Sequence, residues 1–174
     1  MDELFPLASP QAAVALIEVN SSEERFVLIL RRAFHPADPW SGHLAFPGGR
    51  KDAKDSDLLA TCLREVKEEC GLALSPSDLV EKLPIAIAGR SHGKPLTVQP
   101  WKFQLREFPS LILEEKEIQS AFWVPYANFT RKESHVDFQV MPGLIRPAFL
   151  VENIPLWGFT YGVLCEHLGL KTGP

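Results

Sequence analysis

The chain predicts an α/β fold, and three observations carry that prediction. Ala12–Val19 (AAVALIEV) and Arg25–Arg32 (RFVLILRR) are apolar enough to be central strands covered on both faces. Asp57–Cys70 has helical periodicity, because Leu59, Leu63, Val66 and Cys70 recur at i, i+4, i+7 and i+11 and draw one apolar stripe. An apolar-periodic segment ending at Leu168 supplies a second helix near the C-terminus.

Bulk properties bound what such a chain does. Its 174 residues, 45% apolar and 23% charged, suffice for one domain spanning 1–174 around a single core, with residues 1–10 expected to be a poorly ordered lead-in. A formal net charge of −4 argues against a nucleic-acid-binding surface as the main function. Met1-Asp2-Glu3 begins acidic and no long apolar region follows, so no secretory leader is expected, and no 18-residue apolar run is present to cross a membrane. The three cysteines are an odd number without metal-ligand spacing. Cys62 and Cys70 lie too far apart on one helix to bridge, so reduced thiols in a cytoplasmic protein are expected.

Taken in order, Asn20–Glu24 is a polar turn joining the first two strands. Arg31 and Arg32 close the second strand, where they serve either solubility or phosphate binding. Ala33–Arg50 (AFHPADPWSGHLAFPGGR) is a loop long enough to be functional. His43 within it has no paired His or Cys nearby, so structure or hydrogen bonding is its expected role rather than zinc binding. Pro47-Gly48-Gly49 lets the backbone approach a ligand closely. Asp55, Ser56 and Asp57 are N-cap candidates for the helix, and Gly71 is its C′ glycine. Ser75–Asp78 reads as a turn, and Leu83–Arg90 and Thr97–Arg106 as paired strands, the second half-buried and antiparallel. Pro84, Pro95 and Pro100 imply an edge or bulge nearby. Arg90, His92 and Lys94 form either an exposed hairpin tip or a substrate rim. Ala121–Pro125 is an apolar strand ending in proline, Phe138–Phe149 two extended pieces about a turn, and Ile154–Thr160 the turn into the last helix.

The helix is the chemical centre. At about 100° per residue, Glu65, Glu68 and Glu69 fall within roughly a 100° arc opposite the apolar stripe. Three carboxylates this close repel one another with almost no local cation to relieve them. The arrangement is either a solvated acidic face or a site for a hard divalent cation, which prefers oxygen ligands.

Gly48–Leu72 resembles the Nudix box, and that resemblance favours the cation. Arg64-Glu65-Val66-Lys67-Glu68-Glu69-Cys70-Gly71-Leu72 matches the second half of the motif at every fixed place. In the first half, Gly49 lies one residue too far upstream, and Ser56 stands at the expected glutamate with Asp55 beside it. Leu28–Ala33 and Gly42…Phe46-Pro47-Gly48-Gly49 are similar to the motif of the coenzyme A pyrophosphatase subfamily, as is Ile154–Thr160, where Trp157 also serves core packing. The loop is one residue longer, and Ala37 or Asp38 replaces the subfamily's second arginine, which favours a different nucleotide substrate.

The resemblance implies an α/β/α sandwich with a mixed central sheet, and hydrolysis of a nucleoside diphosphate linked to another group. Coenzyme A or acyl-coenzyme A is the first expectation, giving 4′-phosphopantetheine and adenosine 3′,5′-bisphosphate. ADP-ribose, a nucleoside diphosphate sugar, a dinucleotide or a nucleoside triphosphate is the second, and a non-catalytic ligand-binding domain the third. Glu65, Glu68, Glu69 and the Gly49 carbonyl would hold Mg²⁺ or Mn²⁺, with Arg64 orienting the carboxylates. Glu65 or a later acid (Glu114, Glu115 or Glu117) would accept the proton, and Arg31, Arg32, Arg50 and Glu117 are the candidate substrate contacts. The expected partner is a small nucleotide, with no nucleic acid and no membrane, for a monomer or homodimer.

Overall fold

The computed structural model describes residues 9–89, 93 and 95–170. Arg90, His92 and Lys94 lie outside the described residues, so the hairpin tip does too. Among the described residues eleven strands and three α-helices follow in this order: β1 (Ala12–Asn20), β2 (Arg25–Arg32), β3 (Leu44–Ala45), β4 (Gly48–Arg50), α1 (Leu58–Cys70), β5 (Leu79–Lys82), β6 (Ala86–Ala88), β7 (Leu96–Leu105), β8 (Ile118–Pro125), α2 (Tyr126–Thr130), β9 (His135–Met141), β10 (Leu144–Val151), β11 (Ile154–Trp157) and α3 (Gly158–Leu168).

Strand alternation makes the layers. Ala13, Ala15 and Ile17 of β1, with Leu28 and Leu30 of β2, pack on Cys62, Val66 and Cys70 of α1. Leu16, Val27 and Ile29 face the other way, onto Leu156 of β11 and Leu164 of α3. The central sheet is thus covered on both faces, as the two apolar runs predict, and it is mixed: β1 runs parallel to β7 and antiparallel to β2 and β4. Strands β9, β10 and β11 form a second, antiparallel sheet against the α3 side.

β1 and β2 pair only between Glu18–Asn20 and Arg25–Val27. Beyond that they part, and the glycine loop fills the gap. β3 pairs with the end of β2, β4 with the start of β1, and Ala15 N–H donates to the Pro47 carbonyl at 2.8 Å. What reads as one loop, Ala33–Arg50, therefore ends in two short strands wedged into the sheet.

Two elements differ from the sequence reading. β7 is a central strand, antiparallel only to β5 and β6, because β1 lies parallel along its other edge. The Leu83–Arg90 strand shrinks to β6, while Leu79–Lys82 forms β5 after a 3₁₀ turn at Pro76–Asp78. Pro100 sits where pairing passes from β6 to β5. There the Gln99 amide donates to the Leu83 and Pro100 carbonyls at 2.7 and 2.8 Å, linking the two pairing segments.

One acid inside β1 is buried on the α3 side of the sheet. Glu18 is fully buried and accepts from Tyr126 Oη at 2.6 Å, with His167 Nε2 at 2.9 Å on the same oxygen. Lys102 Nζ lies 3.2 Å from its other oxygen, an ion contact off the hydrogen-bond line. Burial works against the charge, but His167, Tyr126 and Lys102 outweigh it and hold the carboxyl down at about 2. Because the folded value is depressed, the stabilisation is present above the unfolded value near 4.5 and is lost as pH falls towards 2. Replacing Glu18 with Ala leaves Lys102 unpaired in the interior and is expected to cost about 3–5 kcal/mol at pH 7. Urea unfolding at pH 7, 4.5 and 2.5 checks this, with the variant's deficit shrinking at the lowest pH.

Candidate active site

Helix α1 is bounded as its sequence requires. Asp57 is the N-cap, its carboxylate accepting from Ala60 N–H at 2.8 Å, and Gly71 closes the helix in the left-handed region at φ 67°. Cys62, Val66 and Cys70 are buried, and Leu59 and Leu63 pack at the margin of the same core. Turned away from that face, the acids differ sharply in environment. Glu68 is exposed, Glu65 half-buried and Glu69 buried.

The glycine loop covers the two inner acids. Gly48 N–H donates to Glu69 Oε2 at 2.9 Å. Gly48 has φ +147°, and a Cβ there would run into the Ala13 carbonyl and stand 2.6 Å from Val14 Cα. A Cβ on Gly49 would lie 2.6 Å from the Glu65 carboxylate. Both glycines are therefore required, the first by the sheet behind it and the second by the acid in front.

Arg64, which the family resemblance puts to orienting the carboxylates, is the local cation on this acid cluster. Its Nε and Nη2 fork onto Asp55 at 2.9 Å each, and its Nη1 spans Glu65 and Glu68 at 2.9 and 2.8 Å. Nη2 also reaches the Arg50 carbonyl at 3.3 Å, pinning the glycine loop to the helix. Asp55 is buried and accepts further from Asp52 N–H and Thr61 Oγ1. The Arg64 fork holds its carboxyl far below the usual range against the effect of burial, and Asp55 in return raises Arg64 further. Asp55, one residue before the position at which the motif expects a glutamate, is thus what orients Arg64.

The strap that carries Glu114–Glu117 is stapled to the helix end, and of its acids Glu117 acts on the site. Ile112 and Glu114 N–H donate to the Cys70 and Glu69 carbonyls at 2.8 and 3.1 Å. Glu117 is exposed, and its charge acts on both Glu65 and Glu69. Burial, with neighbouring acids adding to it, raises Glu65, and burial above all pushes Glu69 up to about 8.

Arg31 and Arg32, adjacent in sequence, part company at the strand end. Arg32 Nε and Nη2 both donate to Asp38 Oδ2, at 3.1 and 2.7 Å, and its charge also acts on Glu69. Arg31 Nε is buried without a hydrogen-bond partner among the described residues, and its backbone pairs with Leu44 and Ser120. The Arg50 side chain is exposed. His43 packs edge-on against Trp157, with ring centres 5.1 Å apart. Beside this pair, Pro39, Gly42, Phe138 and Ile154 line an apolar groove of about 330 Å³.

Among the described residues no three His, Cys, Asp or Glu side chains converge in a geometry that holds a metal ion. The donor set nonetheless fits a hard divalent cation. It is all carboxylate and carbonyl oxygen, and its inner acid, Glu69, is driven towards its neutral form chiefly by burial, with the neighbouring acids adding to it. Glu65 and Glu68 would turn from Arg64 Nη1 to share such an ion.

Fold and helix together define a class, and the comparisons agree with it. The chain belongs to the Nudix family: the NUDIX domain model matches residues 9–144. It is 30% identical to the peroxisomal coenzyme A diphosphatase ndx-8 of Caenorhabditis elegans over 85% of this chain and 61% of that protein. It is also 34% identical to an uncharacterised protein of Schizosaccharomyces pombe over 66% of this chain and 36% of that protein. The chain thus spans only part of the length of the curated relatives it matches. A MutT/nudix family protein from Enterococcus faecalis shares the fold, with TM-score 0.60 and 19% identity over 88% of this chain and 58% of that one.

The two glycines separate fold from site. Gly48→Ala forces a side chain into the β1 backbone and is expected to cost at least about 3 kcal/mol, read as a lowered urea midpoint. Gly49 has no positive φ, and its Cβ would meet only a carboxylate tip. Gly49→Ala is therefore expected to keep most of the stability while displacing Glu65, so the two variants diverge in the same unfolding experiment.

Proposed function

We propose that the chain hydrolyses a diphosphate linkage in a nucleoside diphosphate joined to a second group, with Mg²⁺ or Mn²⁺. The observation that carries this reading is the pressing of Gly48 and Gly49 onto Glu69 and Glu65, which holds two desolvated acids beside a backbone free of side chains. Glu65, Glu68, Glu69 and the Gly49 carbonyl would hold the ion. When bound, it supplies charge neutralisation on the phosphoryl oxygens and acidifies water.

This chain's own groups supply the rest. Arg64, fixed by Asp55, orients Glu65 and Glu68 and ties the loop through the Arg50 carbonyl. Glu65 or one of the strap acids, with Glu117 facing the cluster, accepts the proton of the attacking water. Arg32, on the Glu69 side and held by Asp38, is a candidate substrate contact. Arg31 and Arg50 are assigned weaker roles at the edge of the site.

Coenzyme A or acyl-coenzyme A is the substrate we propose first, yielding 4′-phosphopantetheine and adenosine 3′,5′-bisphosphate. It is supported by the loop and Trp157 motifs and by the likeness to the C. elegans diphosphatase. Another nucleotide substrate is the second reading, because Ala37 or Asp38 stands in the loop where the resemblance expects an arginine. A single domain working as a monomer or homodimer in the cytoplasm fits the three buried free cysteines, and the described residues contain no helix long and apolar enough to cross a membrane.

Glu69→Gln keeps the Gly48 hydrogen-bond acceptor and removes the charge. It is expected to lower metal-dependent turnover by about 10²-fold or more while the urea midpoint holds. A panel of coenzyme A, ADP-ribose, dinucleotides and nucleoside triphosphates, with products separated by chromatography, reads both the activity and the leaving group. Near-full activity of the variant, or inertness of the wild-type protein to the whole panel, defeats the reading.

A further inference from the structure

We propose that Asp38 ranks the substrates within the proposed class: by occupying Arg32 it removes a cation that would receive an additional phosphomonoester, so coenzyme A is accepted but forms carrying only the bridging diphosphate bind more tightly. This rests on the reading of the site as a diphosphate hydrolase given above.

Arg32 ends β2 on the side of Glu69, and both its Nε and Nη2 are spent on one oxygen of Asp38. Asp38 is itself anchored without Arg32. Its Oδ1 accepts from Trp40 N–H at 3.0 Å, its N–H donates to the His35 carbonyl at 2.9 Å, and its carbonyl accepts from Ser41 N–H at 3.1 Å. The pair is partly buried, with 35% and 18% of the two side chains exposed, so the guanidinium is held rather than merely brushed by a mobile acid.

Arg64 and Lys51, the other cations bound to the acids, are also committed. Arg64 is shared by Asp55, Glu65 and Glu68, and Lys51 Nζ donates to the Asp55 carbonyl at 2.8 Å. A phosphomonoester carries about −1.5 to −2 charges at pH 7 and is bound best by an open guanidinium fork. Here it would meet a closed fork amid Asp38, Glu69 and Glu117. Repulsion of that kind discriminates as effectively as attraction to the right substrate. Asp38 acts through Arg32 and is a positioning residue.

The test compares ligands that differ by one phosphate. Calorimetric titration with AMP and with adenosine 3′,5′-bisphosphate needs no turnover. Wild-type protein is expected to bind AMP at least as tightly as the bisphosphate. Asp38→Asn keeps the acceptor for Trp40 and opens the fork, and is expected to shift the ratio about tenfold towards the bisphosphate. Adding Arg32→Gln to Asp38→Asn is expected to restore the wild-type ratio, which a purely structural role for Asp38 would not do. With Mg²⁺, the KM ratio for coenzyme A against dephospho-coenzyme A is expected to move the same way, with kcat ratios unchanged. The proposal is overturned if wild-type protein binds the bisphosphate about tenfold tighter, if Asp38→Asn leaves the ratio alone, or if neither nucleotide binds either protein. Cleavage of both coenzymes with an unmoved ratio sinks this inference and spares the hydrolase reading. A moved binding ratio without cleavage does the reverse.

Discussion

The hydrogen bond from Gly48 N–H to the buried Glu69 carboxylate joins the two halves of the molecule on which the site depends. It ties a loop wedged between β1 and β2 to a helix packed across the same strands. Remove the wedge and β1 and β2 lose what fills the space between their diverging ends. Remove the helix and the glycines have nothing to cover. The contact is possible only because the loop carries no side chain there. At Gly48 the sheet allows no Cβ, and at Gly49 a Cβ would displace the Glu65 carboxylate.

The acids beneath that loop form a graded set. Glu68 is exposed and tethered to Arg64, Glu65 is intermediate, and Glu69 is sealed from water with burial dominating its titration. Such a gradient cannot arise from a helix alone, where residues three and four apart share similar surroundings. It comes from the loop lying over one edge of the acidic face. Asp55 and Arg64 then act as a strut, buried on the carboxylate side and branching to two acids and to the loop carbonyl. The strut has the same shape as a designed support for a charged site, with each ligand oriented by a neighbour that is itself satisfied.

On the other face of the sheet, Glu18, Tyr126, His167 and Lys102 gather from β1, α2, α3 and β7. No two of these lie close in sequence, so the network records the final packing of four elements. A lone Glu in a strand that reads as covered on both faces was the available signal for it, since an acid is seldom buried without partners. The partners themselves carried no local mark.

Periodicity and end signals determined the helix carrying the acids, its Gly71 end and the two central strands, and narrowed its N-cap to Asp55, Ser56 or Asp57, because these depend on residues within one turn or one strand repeat. The acidic triad of Glu65, Glu68 and Glu69 was legible for the same reason. Tertiary structure alone decided that Arg64 belongs to Asp55, that Arg32 belongs to Asp38, that Glu117 faces the helix, and that the long loop enters the sheet as β3 and β4. It also decided that β7 runs parallel to β1, a pairing across some eighty residues that no local pattern encodes. Local rules reach as far as the hydrogen bonds that close within a few residues. Which carboxylate neutralises which guanidinium depends on how the chain returns to itself, and that is fixed only when the core is packed.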